Sequence, residues 1–164
     1  MNVYERMTEH QHQVELFAWA AVARAHGLSV AREWLQRAPE ALRRGAPNKE
    51  ASKPDERLRW LHSVPNGAAY GKDPAQRQKE GARMKAEGLR PGVADVFLPL
   101  PMSLACGQGW SAGLYLELKR VKGGTVSAEQ KAFGQYANSV GYRWLVVRGY
   151  YEAITAIEAY LRGE

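Results

Sequence analysis

Apolar residues recur along this chain with two spacings, one typical of helices and one typical of strands. From Thr8 to about His26 the spacing is helical, and Thr8 is a suitable N-cap. Asp73 followed by Pro74 predicts the start of another helix, which Gly88 ends. Between these helices, residues 29–56 combine short helical patterns with three prolines, and they predict an insertion with a surface loop.

Strand-like segments fill much of the second half of the chain. They are residues 57–64, the segment around Asp95 in VADVFLP, residues 114–121 and residues 142–148. Residues 102–113 lie between two of these strands and are predicted to form a loop. Two further helices are predicted, one from the capping box of Ser127 and Gln130 to Gly141, and one at residues 151–161.

The order of these elements indicates the fold class. The strand that begins at residue 114, the helix after Ser127 and the strand at 142–148 form a β-α-β unit. Its right-handed crossover makes the two strands parallel. We therefore expect residues 1–164 to form a single α/β domain, with a mixed central sheet flanked by helices and an insertion at about residues 29–56.

Length and composition exclude several classes of protein. The chain has 164 residues, of which 45% are hydrophobic, enough for one ordinary core. Its single cysteine, Cys106, excludes an internal disulfide framework. The longest apolar run, from Leu16 to Ala23, is too short for a bilayer, which takes about 20 residues, and the first residues do not resemble a secretion signal. We expect a cytoplasmic protein with no membrane partner.

The balance of charges indicates an anionic partner. The formal net charge is +6, and a basic domain attracts polyanions, so nucleic acid is the default partner. A strip of cationic side chains on and after the helix that starts at Asp73 suits phosphate groups, and an ordinary solvated helix face is the alternative. The strip consists of Arg77, Lys79, Arg83, Lys85 and Arg90.

One predicted strand, LYLELKRV, carries an acid and a base in its centre. Strand side chains alternate between faces, so Leu114, Leu116 and Leu118 can point inward while Glu117 and Lys119 face water. The alternative is that the acid and the base do chemistry. Asp95 lies in a separate strand, and if the two strands are neighbours its carboxylate converges with that of Glu117. Paired carboxylates suit a hard divalent ion such as Mg²⁺ or Mn²⁺, and a lysine beside them can orient water or stabilise developing charge.

Four motifs follow one another along the chain: the asparagine-glycine turn at Asn66, the block GLRPGVADVFLP, the ELK triplet and the SAEQ helix start. Together they resemble the VRR-NUC domain of the PD-(D/E)xK nuclease superfamily. The resemblance covers about residues 59–161 and the first helix. It departs from the family at Ala94, where the family usually has proline, and at the insertion.

The resemblance implies a restriction-endonuclease-like core and a metal-dependent DNA endonuclease. Stand-alone viral or bacterial members of this family are homodimers that cut branched DNA, including four-way junctions, and this chain is expected to do the same. The implied site consists of Asp95 and Glu117 as metal ligands with the backbone carbonyl of Leu118, Lys119 as the catalytic lysine, and Gln130 as the motif glutamine. Asn66 and Lys122 are expected to join the cationic strip in binding DNA.

The family also uses an acidic residue from the first helix, and Glu9 and Glu15 are the candidates. At about 100° per residue, Glu9 and Gln13 fall on one face with Leu16, Phe17 and Ala20, and Glu15 points away from it. We therefore predict Glu9 as the ligand. His10 and His12 are alternatives, but histidines near a helix start are more often solvated.

Two other functions compete with a nuclease. A non-catalytic nucleic-acid-binding module with the same fold is the first, and the intact set of Asp95, Glu117 and Lys119 argues against it. A nucleotide-binding α/β enzyme is the second, but no glycine-rich phosphate loop follows any predicted strand. A dimer contact is expected either at FAWAAVA in the first helix or in the insertion.

Overall fold

The computed structural model describes residues 3–36, 53–65, 73–105 and 109–164. Helix α2 begins after Thr8, which forms the predicted N-terminal cap together with Gln11. The helices are α1 (Val3–Arg6), α2 (Glu9–His26), α3 (Leu28–Gln36), α4 (Pro74–Ala86), α5 (Ala128–Ser139) and α6 (Gly149–Leu161), with a 3-10 turn at Glu56–Leu58. The strands are β1 (His62–Ser63), β2 (Val96–Leu98), β3 (Met102–Leu104), β4 (Gly109–Ser111), β5 (Leu114–Lys119) and β6 (Arg143–Arg148).

Four of the strands form a mixed sheet in the order β1-β2-β5-β6. Strands β1, β2 and β5 pair antiparallel, while β5 and β6 pair parallel through the crossover helix α5. The predicted α/β class, the mixed sheet and the parallel pair are therefore confirmed. Strand β6 is only partly buried, since Val147 is its one buried residue. It lies at the edge of the sheet, where a strand has one neighbour.

The leucine face of β5 forms the centre of the core. Leu114, Leu116 and Leu118 are each 1% exposed, and they lie in one cluster with Trp19 of α2 and Ile157 of α6. Burying each of these leucines stabilises the fold by about 2 kcal/mol. This layer of helices fixes the orientation of β5, and it leaves the opposite face of the strand to Glu117 and Lys119.

Helix α2, which contains the FAWAAVA segment, is part of the core rather than a free surface. Trp19, Ala20, Val22 and Ala23 of α2 are buried, so the expectation that FAWAAVA forms a dimer contact is wrong. Its apolar side chains are already used in packing against α3 and α6. No helix in the parts of the chain that the structure covers is long and apolar enough to cross a bilayer.

The predicted insertion begins as a packed helix. Four side chains of α3 are buried, and Arg32 forms three hydrogen bonds of 2.7–3.0 Å with the carboxylate of Glu158 in α6. A bidentate arginine–carboxylate pair adds directional strength to the apolar contacts. The prolines at 39 and 47 lie outside the described residues.

Two predicted elements differ from the structure. Residues 57–64 were expected to be one strand, but only His62–Ser63 is, because the Asp55 side chain caps the 3-10 turn and binds the Arg57 guanidinium. Residues 102–113 were expected to be a loop, but β3 and β4 form a hairpin. The backbone N–H of Ala105 donates to the Gly163 carbonyl at 2.6 Å, which ties this hairpin to the segment after α6.

Candidate active site

The pairing of β2 with β5 sets Asp95 opposite Glu117. Val96 pairs with Leu116, so the next position in the antiparallel register joins these two acids on one face of the sheet. The Asp95 carboxylate also accepts a hydrogen bond of 2.7 Å from the backbone N–H of Leu118. This bond fixes the carboxylate against β5, because backbone amides do not change rotamer.

The Leu118 carbonyl lies on the same side of the strand as this amide. In an extended strand the N–H and C=O of one residue point to the same neighbour, and Leu118 directs its N–H toward Asp95. Its carbonyl therefore points toward the β2 side of β5, where the paired acids are. That orientation is the one that the predicted role as a metal ligand requires.

Glu117 is fully buried and has two close partners. Its Oε1 atom lies 2.8 Å from Lys119 Nζ and accepts a 2.5 Å hydrogen bond from Gln130 Nε2. Its Oε2 atom is buried without a hydrogen-bond partner among the described residues. A buried carboxylate oxygen without a partner lowers the stability of the fold unless a cation or a proton binds to it.

Lys119 is also buried, with 6% of its surface exposed. The interpretation in which Glu117 and Lys119 face water is therefore excluded. Helix α5 covers this face of β5, since Phe133 packs on Tyr115 and Gln130 binds Glu117. The acid, the base and the paired Asp95 lie in a shielded site, in which charges interact strongly.

Burial raises the pKa of Glu117 to about 7, above its ordinary value of 4.5. The hydrogen bond from Lys119 lowers this pKa and repulsion by Asp95 raises it, but burial is the largest cause. Between these two values the folded chain keeps a proton that the unfolded chain has lost. The contribution of Glu117 to stability therefore falls as the pH rises from about 4.5 to 7.

A capping box at the start of α5 orients the side chain of Gln130 toward Glu117. The Ser127 hydroxyl accepts a hydrogen bond from the Gln130 backbone N–H, and the Gln130 side-chain oxygen accepts one of 2.8 Å from the Ser127 N–H. The predicted capping box is thus present. It uses the amide oxygen of Gln130 and leaves the amide nitrogen to donate to the carboxylate.

Glu9 lies at the end of β5, but within the described part of the chain it does not form a metal-binding group of three acids with Asp95 and Glu117. Its Oε1 atom accepts a 3.4 Å hydrogen bond from the Arg120 N–H, one residue beyond Lys119. Glu15 was expected to point away from the core, but it is half-buried, with its carboxylate close enough to raise the pKa of Tyr150. The core face of α2 is thus wider than the helical wheel predicted.

The two histidines of α2 have opposite environments. His10 is exposed, as expected. His12 was also expected to be solvated, but it is fully buried between Tyr4 and Tyr150, and burial lowers its pKa. The physical reason is that α1 folds back over the start of α2 and brings Tyr4 onto the ring.

The sequence analysis did not single out Gly92, which shapes the loop before Asp95. Gly92 has φ +87°, and a side chain there would approach the Glu129 backbone to 2.7 Å, so glycine is needed for the loop before Asp95 to pack on the start of α5. Ala94, where the resembled family usually has proline, is fully buried. The signal for Gly92 was the Pro-Gly pair, which also marks an ordinary turn.

The paired acids fit a hard divalent cation. Glu117 Oε2 is unpartnered, Asp95 lies opposite it, and all the donors are oxygen atoms. Within residues 3–36, 53–65, 73–105 and 109–164 no group of three or more histidine, cysteine or acidic side chains is arranged to hold a metal. Mg²⁺ commonly binds through one or two carboxylates and completes its shell with water and substrate phosphate, so two carboxylates suffice.

The predicted DNA-binding side chains differ in their surroundings. All five members of the cationic strip are exposed, and α4 buries none of its side chains. Arg83 lies 3.5 Å from Glu80 and 3.6 Å from Glu87, which partly neutralises it, and Lys122 pairs with Glu5 at 2.9 Å. Asn66 lies outside the described residues.

Comparison with known proteins supports the fold assignment. A scan against protein-family models and a search of curated proteins gave no match. Among solved structures, a VRR_NUC domain protein is similar to this chain with a TM-score of 0.56 and 17% sequence identity, over 96% of this chain and 90% of that one. At this identity the similarity establishes the fold: the chain has the restriction-endonuclease-like α/β core that its motifs predicted.

Proposed function

We propose that this protein is a Mg²⁺- or Mn²⁺-dependent nuclease that hydrolyses phosphodiester bonds in DNA. The observation that carries the proposal is the buried pair of Glu117 and Lys119, 2.8 Å apart, opposite Asp95 on one face of the sheet. Burying two charges in a central strand opposes folding, so a function explains this pair better than a contribution to stability does. The net charge of +6 supports a polyanionic substrate.

Each residue has a distinct role in this mechanism. Asp95, Glu117 and the Leu118 carbonyl would hold the cation, and a bound cation would supply Lewis acidity toward the scissile phosphate. Lys119 holds the attacking water or stabilises the charge that develops on the phosphate. Gln130 keeps Glu117 in place, and Glu9 extends the site from α2. The exposed cations of α4 bind the DNA backbone.

Cleavage assays with labelled DNA test the proposal. We expect cutting in Mg²⁺ or Mn²⁺, loss of cutting with EDTA, and a rate that rises between pH 6 and 8, because Glu117 must lose its proton before it can bind a cation. Cutting that persists in EDTA would exclude the metal-dependent mechanism. DNA binding without any cutting would favour the non-catalytic module.

We also propose a homodimer that prefers branched DNA to linear duplex. One active site cuts one strand, and two sites related by a two-fold axis suit the strands of a four-way junction. With FAWAAVA buried, the insertion remains as the expected contact, but its residues 37–52 lie outside the described part of the chain. Among the described residues, Trp110, Tyr136 and Val140 offer apolar surface, at 62%, 64% and 47% exposed. Light scattering should give twice the 18.3 kDa chain mass, and junctions should be cut faster than linear duplex of the same sequence. A monomer at micromolar concentration, or equal rates, would contradict this proposal.

A further inference from the structure

The loop between β5 and α5 packs directly on Lys119. A side chain carbon built on Gly124 would lie 2.9 Å from Lys119 Cβ, 3.2 Å from the Arg120 nitrogen and 3.3 Å from the Arg120 oxygen. Carbon atoms do not approach so closely, and Cβ and backbone atoms cannot swing away as the end of a long side chain can. Only glycine therefore lets this loop fold back onto β5.

Arg148 holds the loop in this position. It lies at the end of β6, in register with Lys119 across the parallel pair, and its Nη1 atom donates a 3.0 Å hydrogen bond to the Gly124 carbonyl. Arg148 is itself held at its backbone, since its N–H donates to Glu152 at 2.8 Å and its carbonyl accepts from the Tyr4 hydroxyl at 3.3 Å. Arg148 is thus fixed both by the sheet and by its hydrogen bond to α6.

We infer that Gly124 and Arg148 are positioning residues for Lys119, and this inference rests on the proposed nuclease function. The loop packs against the base of the lysine side chain, at its Cβ atom and the following backbone. A lysine side chain has four rotatable bonds, and its ammonium group is strongly hydrated in water. The Nζ atom of Lys119 therefore stays 2.8 Å from Glu117 Oε1 only while the surrounding residues block its other rotamers and keep water away from it. Gly124 supplies the contact, and Arg148 keeps Gly124 there.

Two neighbouring glycines provide a matched test of the contact. Gly124→Ala adds a carbon against Lys119, whereas Gly123→Ala adds one where no atom lies within 4 Å, at a φ of +77° that strains the backbone. We expect Gly124→Ala to lower kcat by about tenfold to a hundredfold with an unchanged KM for DNA, since a displacement of about 1 Å costs that much. Gly123→Ala should lower Tm by about 2–4 °C and keep kcat within about twofold. Equal kcat values in the two variants would overturn the inference.

Substitutions of Arg148 test its role without adding atoms to the loop. Arg148→Ala should lower kcat by about tenfold, and Arg148→Lys should recover most of it, because an ammonium group can also donate to the Gly124 carbonyl. If Arg148→Ala instead raises KM and keeps kcat, Arg148 binds DNA phosphate and does not position the lysine.

The parent protein is assayed in parallel. A parent that does not cut DNA refutes the proposed function, while a parent that cuts DNA together with variants of unchanged kcat refutes only the positioning role.

Discussion

Lys119→Ala is expected to reduce metal-dependent DNA cleavage by about a hundredfold or more while DNA affinity stays nearly unchanged. Lys119 is 6% exposed and 2.8 Å from Glu117, so it is placed to act on the reacting phosphate rather than to attract DNA from solution. Single-turnover cleavage in Mg²⁺ measures the rate, and fluorescence anisotropy with labelled DNA in EDTA measures the affinity.

Lys131→Ala is the control for this substitution. Lys131 is exposed on α5, one residue after Gln130, so its loss changes the net charge equally without touching the buried site. Circular dichroism should show that both variants are folded. In the Lys119 variant the hydrogen bond that lowers the pKa of Glu117 is lost, so this pKa shifts further upward. Cleavage by Lys119→Ala at the parental rate would support the binding module instead.

Glu9→Gln is expected to slow cleavage by at least about tenfold, whereas Glu15→Gln should leave the rate nearly unchanged. Glu9 reaches the end of β5 through its contact with the Arg120 N–H, while Glu15 lies near Tyr150 on the side of α2 that packs on α6. Gln preserves the size of the side chain and removes only the charge. Side-by-side nicking assays measure both rates.

The thermal stability of the two glutamine variants separates a structural effect from a catalytic one. Because the Oε2 atom of Glu15 is buried, substitution of this residue is expected to lower Tm without slowing cleavage at temperatures well below unfolding. Glu9→Gln should show the opposite combination, with a small change in Tm and a slow rate. The reverse ranking of the two rates would show that Glu15 is the acid that α2 contributes.

Local signals in the sequence predicted the helices and the order of the main strands. Thr8, Asp73 and Ser127 each mark a helix start by side-chain capping, and the structure has all three caps. The link between β5 and β6 was predictable because crossover handedness is nearly invariant. The pairing of β2 with β5, which brings Asp95 to Glu117, was assumed from the chemistry and is confirmed by the register.

Features that depend on distant contacts were not predictable from local signals. The β3–β4 hairpin is held by the Gly163 carbonyl and by the Tyr160 hydroxyl, which donates to the Leu100 carbonyl at 2.6 Å. Neither partner is near the hairpin in the sequence. His12 was expected in solvent because nothing local indicates that Tyr4 covers it. Gly124 gave no signal beyond a glycine pair in a turn, since its reason for being glycine is a contact with Lys119.

The buried acid and base in β5 set activity and stability against each other. Apolar residues of similar volume in place of a buried ion pair often raise stability by about 1–4 kcal/mol. Glu117 and Lys119 thus make β5 a weaker strand than its leucine face alone would allow. Under the proposed function, a copy of this protein released from selection for cutting DNA would gain stability by losing both charges together, although removal of either one alone would leave the other buried without its partner. Variants without the pair are therefore expected to unfold at higher temperature than the parent, and a screen for heat resistance alone would select against the proposed activity.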